Sequence, residues 1–159
     1  MEKKKAQEYS ARIVQANRTE LLVIIYEIIQ EELSQAIEAY NNKDEQLFQS
    51  SMKSAQKFLN ELMGTLDYRY EVAYNLMSVY KYVNKVIIED LVKGQADQIS
   101  ECISMIGNLK AAYEGIVSQD HSGPVMENVQ KLYAGLTYGK GTLNEISVNE
   151  RGGNRGLYA

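Results

Sequence analysis

YRYEVAYNLMSVYKYVNKVIIEDLVK, residues 68–93, is the stretch on which the fold turns. Leu76, Tyr80, Val83, Ile87 and Leu91 recur at steps of four, three, four and four, which stacks them on one face of a long helix. A second row, Val72, Val79, Tyr82 and Val86, runs beside the first at heptad spacing. At ~100° per residue the apolar and aromatic side chains cover roughly 240° of the circumference, well beyond the ~100° stripe of an ordinary surface helix. One core interface cannot use all of that surface. Either the helix is central and packed on several sides, or one flank is a groove kept for a partner.

Working backwards, Asn41-Asn42-Lys43-Asp44 reads as a turn, with Asp44 the cap of the preceding helix. In that helix Phe48, Met52, Ala55, Leu59, Leu62 and Leu66 step by fours and threes, a narrow seam that buries one face. Gly64 interrupts the pattern, for close packing or for an approaching helix end. Before the turn, Asn17-Arg18-Thr19-Glu20 has the form of a capping box that opens a helix over residues 18–40. Its start, LLVIIYEII, is β-branched enough to suggest a strand, but the three- and four-residue steps continue through Leu33, Ala36, Ile37 and Tyr40, a helical length. Residues 1–16 are polar apart from Tyr9, Ile13 and Val14, an arm carrying a few apolar hooks.

Working forwards, Gly94 supplies the left-handed residue that stops the central helix. Ile99, Cys102, Ile106, Leu109, Tyr113 and Ile116 then form the seam of a helix over residues 95–117. Four helices joined by short links pack most simply as an antiparallel up-down-up-down four-helix bundle, here spanning residues 17–118. Pro124 suits the first turn of a short fifth helix within 119–136, whose Val125, Met126, Val129, Leu132, Tyr133 and Leu136 share one face. Residues 137–159 read as a glycine-rich tail. The fold class is all-α.

Composition narrows the functions. The 159 residues carry one Pro, no Trp and a net charge of −4, so no basic field exists to attract nucleic acid. No apolar run approaches the ~18 residues of a membrane span. MEKKKAQEYSAR lacks the apolar core of a secretory signal, and the lone Cys102 builds neither a disulfide framework nor a zinc site, so a cytoplasmic protein is expected. A single histidine, His121, cannot supply the paired Glu-x-x-His ligands of a di-iron bundle. GLTYGKGT, residues 135–142, lacks Walker spacing and a preceding strand. Glu31, Glu32 and the other carboxylates of the first long helix read as charges on a solvated face. Nothing here argues for an enzyme, a cofactor or a metal. What remains is apolar surface on the central helix, the N-terminal arm and the fifth-helix stripe: these either bury one another or together bury another protein's amphipathic helix in a groove.

Three pieces of the chain resemble one family. ANRTELLVIIYE (16–27), KFLNELMGTLD (57–67) and VAYNLMSVYKYVNKVI (72–87) are similar, in order and spacing, to segments of the flagellin-specific export chaperones of the FliS family. Arg69-Tyr70 stand where many members have Gly-Gly, and Arg18 stands where they have Pro. The resemblance implies a non-enzymatic cytoplasmic chaperone without a cofactor. Its partner would be the C-terminal segment of flagellin, held from premature polymerisation and delivered to the flagellar type III export apparatus. An anti-sigma factor and an export-gate protein would be further partners. Val72, Asn75, Val79, Tyr82 and Val86 are then the groove residues on the central helix, and Tyr9, Ile13 and Val14 belong to the N-terminal arm. Two other readings of the same surface are a helical adaptor or anti-sigma-type regulator that binds a different amphipathic helix, and a structural bundle that dimerises through its third long helix.

Overall fold

Asn17 opens the first long helix as its spacing predicts. Its Oδ1 accepts from the Glu20 N–H at 2.9 Å, and Glu20 Oε2 accepts from the Asn17 N–H at 2.9 Å. Asp120 adds to this cap by accepting from the Thr19 N–H and hydroxyl at 3.1 and 2.8 Å. Bonds from Ser122 and Thr19 hold the Asp120 carboxyl well below the usual carboxylate range. The computed structural model describes residues 3–125. It contains α1 (Lys3–Gln15), α2 (Arg18–Asn41), α3 (Glu45–Gly64), α4 (Val72–Lys93) and α5 (Ile99–Glu114), then a single 3-10 turn at Val117–Gln119. No strand occurs among the described residues. The fifth amphipathic helix expected from Pro124 to residue 136 lies outside them beyond Val125, as does the glycine-rich tail expected over 137–159.

The chain divides into two compact units. In the larger, residues 17–122, α2 packs on α3 and α5, while α4 packs on those same two helices and closes the ring. This is the expected up-down-up-down bundle. In the other unit, the arm expected over residues 1–16 is helical: Ala6, Tyr9 and Ile13 fall at three- and four-residue steps on one buried face of α1. Lys, Ala, Gln, Glu and Arg, all good helix formers, fill the remaining turns. The Val125 N–H donates to the Ala16 carbonyl at 3.2 Å.

The long helix over 68–93 is not the hub that its composition suggested. α2 is the more deeply packed, with Val23, Ile24, Tyr26, Ile28, Ile29 and Leu33 all buried and spread around its circumference. That spread leaves little wet face, and it overturns the reading of Glu32 as a solvated charge. Glu32 is only 2% exposed; burial pushes its carboxyl up, and a hydrogen bond with the Ser54 side chain on α3 partly offsets this. α4 buries one stripe, Ala73, Leu76, Tyr80, Val83, Ile87 and Asp90, and leaves much of its apolar excess in solvent. Between the two helices, Tyr26 and Tyr80 join through their hydroxyls at 2.5 Å, and the Tyr113 ring stands 5.9 Å from that of Tyr26. Burial pushes the Tyr80 phenol up to about 12. Close approach of α2 and α5 uses Gly107, where a Cβ would lie 2.7 Å from the Gln30 amide nitrogen that donates to the Ile103 carbonyl.

Helix ends differ from expectation for local reasons. Asp44 caps α3 through the Leu47 N–H at 3.0 Å, and Gly94 ends α4 at φ +62°, both as read from the sequence. Gly64 is the last residue of α3, and nothing lies within 4 Å of where its Cβ would be, so helix termination rather than close packing explains it. α4 starts at Val72 rather than Tyr68 because Asp67 captures the backbone N–H and guanidinium of Arg69, a local bond that competes with helix. The same pairing lowers the Asp67 carboxyl to about 2.

α5 starts at Ile99, and its N-cap Gln98 makes no side-chain cap. Asp90 of α4 substitutes for it: its carboxylate accepts from the Gln98 backbone, yet it is 3% exposed and its Oδ2 has no hydrogen-bond partner. Burial pushes this carboxyl above its ordinary value of 3.8. A raised folded-state pKa means that the ionised form costs stability at neutral pH. The cost falls as pH drops through the folded value and vanishes below the unfolded one. Asp90→Asn keeps an acceptor for Gln98 and removes the charge. Thermal melts should therefore show the variant above wild type at pH 7, with the gap closing towards pH 4. A variant that melts lower at pH 7 would mean that the charge is worth more as a cap than its burial costs.

Candidate partner-binding surface

Apolar residues that a core does not use collect at one end of the bundle, where the start of α2, the end of α3 and the start of α4 meet. Leu22, Leu62, Leu66, Val72, Leu76 and Tyr80 line a groove there of about 180 Å³. Tyr70 and Asp67 also contribute to its lining. The turn between α3 and α4 and the first turn of α4 put aromatic side chains into solvent: Tyr70 is 63% exposed, and the Tyr68 and Tyr74 rings meet at a tilt of 59° with centroids 5.1 Å apart. Exposed aromatic rings with wet hydroxyls suit an interface, since each supplies apolar area at small entropic cost.

The flank of α4 read from the sequence separates into outer and inner members. Val72 is 51% exposed, Asn75 is exposed and Val79 is half-buried. Tyr82 is exposed, with its hydroxyl 3.4 Å from the Glu101 carboxylate of α5. Val86 continues the row but is buried at 2% and belongs to the core. The α5 seam opens towards its C-terminal end. Ile99, Cys102 and Ile106 are buried, Leu109 and Tyr113 are half-buried, and Ile116 is exposed. Tyr9 and Ile13 are buried and Val14 is half-buried in the other compact unit, where the Arg12 guanidinium stands 5.6 Å above the Tyr9 ring.

Sequence reasoning missed Tyr68, Tyr70 and Tyr74, because it placed the first two inside the helix and read no row through the third. The signal was present in Asp67 followed two residues later by Arg69, a turn-forming pair. It also missed the α3 wall of the groove, since Leu62 and Leu66 were assigned wholly to the core seam. Leu62 is buried, but Leu66 is only half so.

Among the described residues, no three His, Cys, Asp or Glu side chains are grouped to hold a metal ion. Burial pushes the Cys102 thiol up to about 12, which leaves it a poor nucleophile. No helix among the described residues is long and apolar enough to cross a membrane. What the surface can do is cover another chain's apolar residues. Comparison with curated proteins gives no match. The family model of the flagellar protein FliS matches residues 1–120, which include all five helices and the whole of this surface. The chain belongs to the FliS family of flagellar chaperones.

Proposed function

We propose that this protein captures the C-terminal segment of flagellin in the cytoplasm, keeps it from polymerising early and hands it to the flagellar type III export apparatus. The family supplies the coarse role, a flagellar chaperone. The observation that carries the finer reading is the partly exposed row Val72, Asn75, Val79 and Tyr82 on α4, beside a leucine-lined groove. An aggregation-prone segment that folds on binding needs such a surface. It loses conformational entropy when ordered, and apolar burial worth about 25 cal/mol per Å² must offset that loss. Asn75, exposed in the middle of the row, is placed to bond a substrate backbone group that would otherwise be buried unpaired.

Titration calorimetry of the full chain with the C-terminal segment of a flagellin from the same organism tests this reading. The expected result is one-to-one binding with a large negative heat-capacity change, the mark of coupled folding and apolar burial. Absence of heat at every temperature, with the segment shown competent to polymerise, would overturn it.

A further inference from the structure

α4 carries a second exposed row that the core does not use and that meets the surface beside the groove only at its first residue, Tyr74. Tyr74, Ser78, Lys81, Lys85, Ile88 and Val92 are spaced by four, three, four, three and four residues, the spacing of a coiled-coil seam, and all six are exposed. The row spans about 27 Å of helix at ~1.5 Å per residue. At ~100° per residue it lies about a third of a turn round α4 from Ala73, Tyr80 and Ile87 on one side, and about a third of a turn from Val72, Val79 and Tyr82 on the other. Val92 is 82% exposed, Tyr74 59% and Ile88 45%. Tyr74 is steadied by the Tyr68 ring, and the Ser78 hydroxyl donates to the Tyr74 carbonyl, so its one strong donor is satisfied within the helix. The ends of the row are therefore apolar and its centre is two lysines.

The charge pattern decides what fits there. The chain as a whole has a net charge of −4, yet the exposed ionisable side chains at the centre of this row are both basic. Glu89, the nearest acid along the helix, sits beside the row and reaches Lys85 only at 3.8 Å. A second copy of this chain is a poor occupant. Pairing two α4 helices antiparallel about Val83 sets Lys81 of each copy against Lys85 of the other, and parallel pairing sets each lysine against itself. Like charges at seam positions oppose assembly. We propose that this row docks an amphipathic helix of a different protein, one with apolar residues towards its two ends and acidic residues at its centre. From Ser78 to Val92 the row lies outside the groove lining, so such a partner and the flagellin segment can be held at once. This inference rests on the chaperone reading only for the identity of that second ligand.

The probe is a five-turn helical peptide with leucines at its outer seam positions and two glutamates at its centre, with its lysine counterpart as control. Fluorescence anisotropy with the full chain should show the acidic peptide binding at least about tenfold more tightly than the basic one. Added salt should narrow the difference. Lys81→Glu with Lys85→Glu, both exposed changes whose effect on the fold circular dichroism checks, should reverse the preference while leaving the flagellin titration as in wild type. Equal binding of both peptides, binding of neither, or a preference that survives the double charge reversal would each overturn the proposal. So would loss of flagellin binding in the double variant, since the two sites would then be one. Sedimentation of the wild type as a dimer through this face would assign it to a second copy. Lysine-dependent flotation on phosphatidylserine-containing vesicles, with no peptide binding, would assign it to a lipid surface.

Discussion

Val72→Glu combined with Val79→Glu should weaken capture of the flagellin segment by at least about a hundredfold, close to 3 kcal/mol, with little change in melting temperature. Val72 is 51% exposed and Val79 is half-buried in the free protein, so the bundle tolerates a carboxylate at either position with its charge in water. Binding removes that water. Each substitution then forfeits about 1 kcal/mol or more of apolar burial and leaves a charge to be desolvated without a counter-ion, which costs several kcal/mol unless it is paired. Calorimetry and thermal melts on the same samples separate the two effects. Val86 shows why exposure must guide the choice. It lies on the same row at the same heptad spacing, but at 2% exposure a glutamate there puts a charge in the core. Loss of binding in a Val86→Glu protein would report unfolding and say nothing about the groove. If the Val72/Val79 double variant binds as wild type does, the flagellin site is not on this flank.

The contrast between Val79 and Val86 also marks what a sequence can disclose. Periodicity places both residues on one row, because helical spacing is a local property that the backbone enforces. Whether a row faces protein or water depends on how far each neighbouring helix extends, which periodicity does not encode. α5 begins at Ile99 and covers the lower part of α4, whereas its upper seam opens through Leu109, Tyr113 and Ile116. The same reason lies behind Glu32. Its charge is local information, but its burial is set by apolar residues on every side of α2. Caps behaved better. Asn17 with Glu20, Asp44 and Gly94 were legible because each acts on backbone groups within a few residues of itself. Asp90 capping α5 from another helix was not, since the residues that it connects carry no shared pattern. Tyr68 and Tyr70 fell between these cases. They continue the helical text, and only the Asp67–Arg69 bond takes them out of the helix and onto the rim of the groove.

Leu33→Ala is expected to be among the most damaging single truncations to the scaffold while sparing the recognition surface. Leu33 is wholly buried in α2, the helix against which both α3 and α5 pack. Removing its three outer carbons loses their transfer free energy and leaves a cavity that the surrounding helices only partly close, at a cost of about 3 kcal/mol within a usual range of 2–5. For a chain of this length that corresponds to a fall of roughly 10 °C in melting temperature. Because Leu33 makes no part of the groove lining or the exposed row of α4, affinity for the flagellin segment, measured well below the new melting point, should stay within about threefold of wild type. The paired outcome is informative in both directions. A large loss of stability with affinity kept shows a surface displayed on a scaffold, each changeable without the other. A loss of affinity in the still-folded variant would mean that the apolar surface is assembled by the packing of α2 itself, and that the groove is as much a product of the core as of the residues that line it.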